Sequence, residues 1–436
     1  MGIFSQLSRQ HREAVAILQI GTFLEFFDLM LYVHMAVLLE DLFFPKINLY
    51  IDNFISIIAF CSTFIFCPIG AIIFGYIGDN FGRKPTVIIT TTIMAICCIT
   101  IANLPTYAEI GLTASWLLII CRIFQGISSL GETVAAQIYL TELIKRPIQY
   151  SVVSYMECAS VLGTVAAILV AMWAFALQLN WRVVFWIGAL IATVGMIARN
   201  ALRETPNFVN AKMRLKHNLE NANLNSGMVL EEDLLVNQKV SKKTSLYYFF
   251  IRCSAPTWLY FSYIYCAGIL KSNFNYSPEQ VIKHNLIVII MEFIAMLFYA
   301  YLGYRIYPLK IIKIRAYIFG VFVLIVPYLL QKAIEPIHIL GIQIFIALFQ
   351  ATPVPGSSIF FIHFPIFKRF TYISFLYASA RGLIYVVTSF SCVYLTKKFN
   401  YFGLLLIFIP ILTGFLLGIF HFDKLEKEAE NHPHRY

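Results

Sequence analysis

Charged residues are scarce in this sequence. Only 13% of its 436 residues are charged, whereas 59% are hydrophobic and the mean hydropathy is +0.75. Water-soluble domains carry about twice that share of charged residues. The composition therefore excludes a water-soluble enzyme and predicts a protein of the lipid bilayer.

Catalytic and nucleic-acid-binding patterns are lacking as well. The sequence has no HExxH or GxSxG motif and no His-rich cluster, so neither a metal nor another cofactor is expected. The net charge of +10 comes from basic residues that lie between apolar runs rather than in one basic arm, so nucleic acid is not expected as a partner. All nine cysteines lie in apolar runs, which makes a disulfide framework unexpected too.

The sequence does contain a series of long apolar runs. At 1.5 Å per residue, each can cross a hydrocarbon layer roughly 30 Å thick as a helix. A polar segment rich in Asn, Lys and Glu separates the first six runs from the last six. The runs cover residues 14–39, 53–76, 86–104, 113–140, 150–177, 182–201, 246–271, 282–304, 312–331, 337–363, 370–396 and 401–422.

This pattern predicts an all-α membrane protein with twelve transmembrane helices in two six-helix bundles. The bundles are expected at residues 1–202 and 246–436, joined by a linker at 203–245 and ending in a short tail. Most lysines and arginines fall on the termini, the linker and the even-numbered gaps, so the positive-inside rule places both termini in the cytoplasm. Abundant Ile, Phe, Tyr, Asn and Lys suggest an AT-rich bacterial genome. We therefore expect a monomeric, multi-pass protein of a bacterial inner membrane.

Two acids lie in the middle of the first run. Gly21, Glu25, Asp28 and Tyr32 are spaced i, i+4, i+7 and i+11, which places them on one helical face. An ionised acid at mid-bilayer costs roughly 3 kcal/mol or more, so this face must point inward and its acids need a counter-ion, water or a proton. We interpret Glu25 and Asp28 as proton-coupling candidates. Structural anchoring is the alternative.

Arg122, in the fourth run, is the predicted partner of Asp28. The fourth helix enters from the outside, and the helical rise brings Arg122 and Asp28 to similar depths in the bilayer. Protonation of Asp28 would free Arg122 to bind another anion, which would link proton occupancy to substrate affinity. A static buried ion pair that joins two helices is the alternative.

Polar residues in later runs are candidates for substrate binding. Glu157 and Glu292, in the fifth and eighth runs, could hold a proton or an amine of the substrate. Arg381, in the eleventh run with Tyr377 on the same face, is the candidate for binding a substrate carboxylate, because a guanidinium group presents a planar donor fork. Pairing of Arg381 with Glu292 is the alternative.

The tenth run contains the sequence QATPVPGSS. Pro353, Pro355 and Gly356 must bend the helix and release backbone carbonyls at membrane depth. Discontinuous helices often line transporter sites, so Gln350 and Ser357 are expected to face a cavity. A kink without a binding role is equally compatible with the sequence.

The loop between the second and third runs reads GYIGDNFGRKP. Gly75 and Gly82 permit close helix approach and positive φ angles. Asp79 could cap the positive end of a neighbouring helix, while Arg83 and Lys84 could pair with carboxylates that separate when the halves move. A turn that carries only orienting charges is the alternative.

This loop resembles the cytoplasmic loop motif of the major facilitator superfamily, Gly-x-x-x-Asp-x-x-Gly-Arg-Lys, and departs from it at Asn80. The resemblance implies that Asp79 and Arg83 latch the two halves of a transporter together on the cytoplasmic side. The corresponding second-half loop, GYRIYPLK, contains no acid, so the sequence identifies only one such latch.

Other segments resemble the metabolite:proton symporter branch of that superfamily, which contains proline/betaine, α-ketoglutarate, citrate and shikimate carriers. RETPNF after the sixth run and FPIFKRFT before the eleventh look like family signatures, whereas Leu130 stands where a glycine is common. The matching residues of the first and fourth runs are Glu25, Asp28, Arg122, Gln125, Gly126, Ser128, Gly131 and Glu132.

The resemblance implies proton-coupled symport of a small carboxylated or zwitterionic metabolite by alternating access, with the proton as coupling ion. Gln125 and Tyr32 join the candidate substrate-binding residues. The fifth run lacks the Gly-Pro motif of drug antiporters, which favours symport. A transporter-derived solute sensor, or a facilitator without proton coupling, is the alternative.

Overall fold

A computed structural model describes residues 7–45, 63–177, 180–199 and 239–430 of the chain. Every regular element within these residues is helical. The helices of the first half are α1 (Arg9–Phe43), α2 (Cys67–Asn80), α3 (Arg83–Asn103), the single turn α4 (Tyr107–Ile110), α5 (Leu112–Leu143), α6 (Ile148–Ala176) and α7 (Trp181–Arg199).

The second half begins, within the described residues, shortly before α8. Its elements are α8 (Lys242–Leu259), a π-helical turn (Tyr260–Tyr265), α9 (Cys266–Phe274), α10 (Pro278–Arg305), α11 (Pro308–Gln331), α12 (Pro336–Phe349), α13 (Ser357–Ile362), α14 (Ile366–Phe399), a 3-10 turn (Asn400–Leu404) and α15 (Leu405–Glu428).

Apolar surface encircles these helices. Seven helical stretches of the described chain are long and apolar enough to cross a membrane. Large apolar side chains stay exposed on the outside of both halves, including Trp116, Leu190, Val321 and Phe390. In water such patches would be unfavourable, whereas lipid acyl chains solvate them. The chain is therefore a multi-pass membrane protein.

Most predicted runs coincide with helices to within a few residues. The exceptions are at the second, tenth and twelfth runs. Residues 46–62, which contain the first ten residues of the second run, and 200–238, which contain most of the expected linker, lie outside the described residues. The twelfth run was placed too short, because α15 continues past Phe422 to Glu428 and carries polar contacts in its last turn.

The tenth run is not one helix. Its residues form α12 and α13, separated by residues 350–356, which we call the helix break. Pro353 and Pro355 lack backbone N–H groups, so the helical ladder cannot continue through this segment. The sequence predicted a bend here, and the structure shows a full interruption.

The seventh run also departs from a regular helix. Pro256 lies inside α8, and the π-helical turn Tyr260–Tyr265 follows it before the helix resumes as α9. Proline removes a backbone donor and crowds the preceding turn, and a wider turn downstream absorbs the mismatch. From this turn the hydroxyl of Tyr263 reaches Glu292 on α10.

The two halves pack against each other along α2 and α14 and along α6 and α10. Small residues make the first contact close. A Cβ atom on Gly75 would lie 2.7 Å from the Cα atom of Thr371, and one on Gly78 would lie 2.9 Å from the ring of Phe370. Only glycine therefore permits this approach of α2 to the start of α14.

Candidate functional site

A cavity of about 530 Å³ lies between the two halves. Helices α1 and α6 of the first half line it, and α8, α10, the helix break and α14 of the second half close it on the other side. A volume of this order accommodates a small metabolite. Its polar lining residues include Glu157, Ser160, Thr164, Arg252, Ser262, Tyr263, Lys271, Asn285, Glu292, Gln350, Thr352, Tyr377, Arg381 and Tyr385.

Two buried arginines, Arg252 and Arg381, contribute guanidinium groups to this lining. The guanidinium carbon of Arg252 lies 4.1 Å from the ring centroid of Tyr377, and its Nε atom donates to the hydroxyl of Tyr248 at 2.9 Å. The guanidinium carbon of Arg381 lies 4.8 Å from the ring centroid of Phe64. Aromatic faces hold both cations by cation–π attraction and orient them toward the cavity.

The carboxyl group of Glu292 forms an acidic part of the lining. Tyr263, in the π-helical turn, donates its hydroxyl to Glu292 Oε2 at 2.6 Å, and Gln350 Nε2 donates to Glu292 Oε1 at 2.8 Å. Glu292 is thus held by two irregular elements of the second half, the π-helical turn and the helix break. The alternative pairing of Arg381 with Glu292 is not among the contacts described for either residue.

Glu157 contributes a second carboxyl group from α6. Its Oε1 atom accepts a hydrogen bond from Gln137 Nε2 at 2.7 Å. Because Glu157 and Glu292 both line the cavity, carboxyl groups from both halves face the same space as the two guanidinium groups. Such a cavity can bind a molecule that carries charges of both signs.

A separate polar cluster lies inside the first half. Gln125 Nε2 donates to Asp28 Oδ2 at 2.6 Å, and Arg122 Nη1 donates to Gln125 Oε1 at 2.8 Å. Cys98 Sγ donates to Asp28 Oδ1 at 2.8 Å. The structure brings Asp28 and Arg122 together as the sequence predicts, but the described contacts run through the amide of Gln125.

Glu25 lies one turn earlier on α1 and is equally buried. It accepts a hydrogen bond from the hydroxyl of Thr133 on α5. The side chain of Tyr32 lies outside the described residues. Glu25 and Asp28 face α3 and α5, whereas Phe26 and Met30 are the α1 residues that line the cavity. The acids therefore lie behind the cavity wall rather than on it.

Asp79 joins the two halves at one end of the molecule. Its carboxylate accepts hydrogen bonds from the backbone N–H groups of Phe370 at 3.2 Å and Thr371 at 2.9 Å, and from the Thr371 hydroxyl at 2.7 Å. These groups belong to the first turns of α14, whose positive end favours a carboxylate. Gly82 has φ 123°, which favours glycine.

The loop also carries two basic residues, Arg83 and Lys84. Lys84 is half-buried, and the side chain of Arg83 lies outside the described residues. The prediction that Arg83 takes part in a latch therefore stays a prediction.

Two ion pairs also join the halves at the same end, and the sequence analysis identified neither of them. Arg369 Nη1 lies 3.0 Å from Glu142 Oε1. Arg146 donates to both carboxylate oxygens of Glu426, at 2.8 and 3.1 Å. Glu426 also accepts from the Tyr307 hydroxyl at 3.1 Å and contacts His363 Nε2 at 2.9 Å. Because their partners are more than 200 residues apart, sequence spacing could not pair them.

Sequence reasoning missed three residues of the second half. Arg252 stands out as a basic residue inside a predicted apolar run, and that signal was available. Arg315 gave the same signal near the start of the ninth run and is buried against the helix break. Tyr263 gave no signal, because its approach to Glu292 depends on the π-helical turn.

The fold and the site together define a membrane protein with a polar cavity between two helical halves. The sequence model of the Major Facilitator Superfamily matches residues 19–428. The chain belongs to this superfamily.

Curated relatives of the chain are transporters. It is 28% identical over 294 residues to the proline/betaine transporter of Salmonella typhimurium, and 28% identical over 302 residues to that of Escherichia coli. Each match covers 66% of this chain and 57% of the relative's length. The matched region thus spans little more than half of these relatives.

Solved structures share the fold. The structure of a proton:xylose symporter bound to 6-bromo-6-deoxy-D-glucose has a TM-score of 0.74, with 16% identity and 95% of each chain covered. At that identity the likeness establishes the architecture alone. The family and fold, however, agree with the resemblance that the loop around Asp79 indicates.

Proposed function

We propose that this protein is a secondary active transporter that couples proton movement to symport of a small carboxylated or zwitterionic metabolite. It works by alternating access, with twelve spans and both termini on the cytoplasmic side of a bacterial inner membrane. The cavity between the halves is the substrate site. The membrane character of the chain, its family and its transporter relatives support this proposal.

One observation carries the proposal: the same cavity is lined by two guanidinium groups, Arg252 and Arg381, and by two carboxyl groups, Glu157 and Glu292. An arginine binds a substrate carboxylate strongly because both groups are planar and the hydrogen bonds are charge-assisted. A carboxylate lining the same cavity attracts an amine or quaternary ammonium group. The lining therefore suits a zwitterion or a carboxylate with a polar second group.

Proton coupling is assigned to the cluster of Asp28, Gln125 and Arg122. Protonation of Asp28 removes the negative charge that Gln125 and Cys98 donate to, which weakens the link between α1, α3 and α5. Helix α1 carries Phe26 and Met30 on the cavity wall, so a shift of α1 changes the substrate site. Glu25 is the alternative carrier of the proton.

Alternating access requires that the two ends of the cavity open in turn. The end at Asp79, Glu142 and Arg146 is closed by contacts between the halves. At the other end of the cavity, the exposed Lys271 of α9 is part of the lining. With the topology that the charge distribution predicts, the closed end is cytoplasmic, which supports assigning this arrangement to an outward-facing state.

Transport by purified protein in liposomes tests the proposal. The panel contains labelled proline, betaine, dicarboxylates and aromatic acids, and a pH gradient that is acidic outside is imposed. We expect accumulation of at least one of these solutes above the equilibrium level, and its loss when a protonophore collapses the gradient. Equilibration without accumulation would instead identify a facilitator, and binding without flux would identify a solute sensor.

A further inference from the structure

A buried guanidinium group binds the helix break directly. Arg315, on α11, donates from Nη1 to the carbonyl oxygen of Val354 at 2.7 Å and from Nη2 to that of Gln350 at 2.6 Å. Its Nη2 atom also lies 3.0 Å from the hydroxyl of Thr352. Each hydrogen bond described for Arg315 therefore ends on the helix break, and one side chain reaches across five consecutive residues of it.

Other side chains complete this arrangement. The ring of Tyr299 stacks on the guanidinium group, with its centroid 4.0 Å from the guanidinium carbon, and its hydroxyl donates to the carbonyl oxygen of Leu348 at 2.8 Å. The hydroxyl of Ser254 donates to the carbonyl oxygen of Ala351. Three elements, α8, α10 and α11, thus supply the donors that the interrupted helix has lost.

Physical chemistry explains why a cation occupies this place. Released carbonyl oxygens cannot remain without donors at membrane depth, because each such group costs several kcal/mol. In broken transporter helices, carbonyl oxygens of this kind also coordinate bound cations. Here the guanidinium group of Arg315, which is 3% exposed, takes the position beside the oxygens of Gln350 and Val354.

The inner side of the helix break forms part of the cavity wall. Gln350, Thr352, Pro353 and Val354 all line the cavity. The backbone oxygen of Gln350 is bound by Arg315, while its side chain donates to Glu292. The placement of the guanidinium group therefore determines where the amide of Gln350 meets the carboxyl group.

We propose that Arg315 is a positioning residue of the substrate site: it holds the helix break so that Gln350 orients Glu292 toward the substrate. It acts as a cation built into the chain and touches no substrate itself. The effect on transport rests on the proposed function, whereas the effect on the helix break does not. The two are therefore tested by separate measurements.

Hydrogen exchange of the purified protein tests the structural step. The backbone amide of Gln350 donates to the carbonyl oxygen of Ile346 in α12, and that of Gly356 donates to the carbonyl oxygen of Pro353. In Arg315→Gln we expect these amides to exchange on the order of tenfold faster, because two charge-assisted hydrogen bonds are lost. Arg315→Lys should show a smaller increase, because an ammonium group keeps the positive charge although it lacks the planar donor fork.

The exposed Arg305, in the last turn of α10, provides the matched control, Arg305→Gln. Unchanged exchange at the helix break in Arg315→Gln, or an equal increase in all helices of the second half, overturns the proposal. If Arg315→Gln does not yield folded protein, Arg315→Lys and Tyr299→Phe are compared with the same control and judged by the same rule.

Transport kinetics test the positioning role. For a solute that the wild type takes up, we expect Arg315→Lys and Gln350→Ala each to raise Km by roughly tenfold, with the maximal rate changed by less than about twofold. The double variant should stay within about twofold of the larger single effect, because both changes act on Glu292. Fully multiplicative effects overturn the role. If the wild type takes up no solute, the proposed function fails, and hydrogen exchange still decides the structural step.

Discussion

Asp28 and Arg122 are linked through the side chain of Gln125, which donates to the carboxylate and accepts from the guanidinium group. All three residues are buried in the first half. An amide that is hydrogen-bonded to two opposite charges couples them, because it can reorient when either charge is neutralised. This relationship gives the cluster a physical means of responding to a proton.

We expect Asp28→Asn to abolish accumulation driven by a proton gradient. Asparagine keeps the shape and a hydrogen-bond acceptor for Gln125 but cannot bind or release a proton. Exchange of solute across the membrane should persist, because it needs no net proton movement. Accumulation and exchange are measured with the same liposomes. Glu13→Gln, an exposed position on the same helix, is the control, and full accumulation by Asp28→Asn would refute the coupling role.

Arg381→Gln should weaken binding of the transported carboxylate by roughly 10- to 100-fold, because hydrogen bonds to charged groups contribute about 1.5–3 kcal/mol. Competition by the corresponding uncharged carboxamide should change far less. Km and inhibition constants are measured from uptake. An equal loss for both compounds would indicate that Arg381 supports the fold rather than binding the carboxylate.

The ion pair between Glu142 and Arg369 should stabilise the closed end. Glu142→Gln or Arg369→Gln leaves one buried charge without its partner, which destabilises the contact by about 3–5 kcal/mol. The expected result is greater labelling of a cysteine placed at Ser160 in the cavity by an impermeant maleimide added on the closed side. The exchanged pair, Glu142→Arg with Arg369→Glu, should reduce that labelling again. Equal labelling in all variants would contradict the latch.

Gly75→Ala should favour opening at the same end. The added Cβ atom would meet the backbone of Thr371 at 2.7 Å, and overpacking of this kind costs about 1–3 kcal/mol. The same labelling assay measures the effect. Gly341→Ala, where an added Cβ atom meets nothing within 4 Å, is the matched control. Equal labelling of the cysteine in the two variants would contradict this prediction.

Much of the fold could be predicted from the sequence, because hydropathy and helical rise give the position of each residue along its helix. The common depth of Asp28 and Arg122 followed from counting residues, and a bend in the tenth helix followed from Pro353 and Pro355. The lateral arrangement could not be obtained in this way. That Gln125 bridges the pair, and that Asp28 lies behind the wall rather than on it, depends on how α1, α3 and α5 rotate against one another.

Contacts between the halves were the least predictable. Glu142 meets Arg369 and Arg146 meets Glu426 only after both bundles have formed, and a charge in a loop is equally compatible with solvent. The position of Tyr263 beside Glu292 also required three-dimensional information, since an ordinary α-helical register would turn its hydroxyl elsewhere.

The π-helical turn Tyr260–Tyr265 sets the rotation of α9 relative to α8, and so decides which of their side chains face the cavity. Removing a single residue there would restore a regular helix but rotate everything on one side of the deletion by roughly 100° relative to the other. Tyr263 and the mouth residue Lys271 could then no longer both face the cavity. An irregularity of one residue thus fixes how Tyr263 and Lys271 are aligned along the cavity wall.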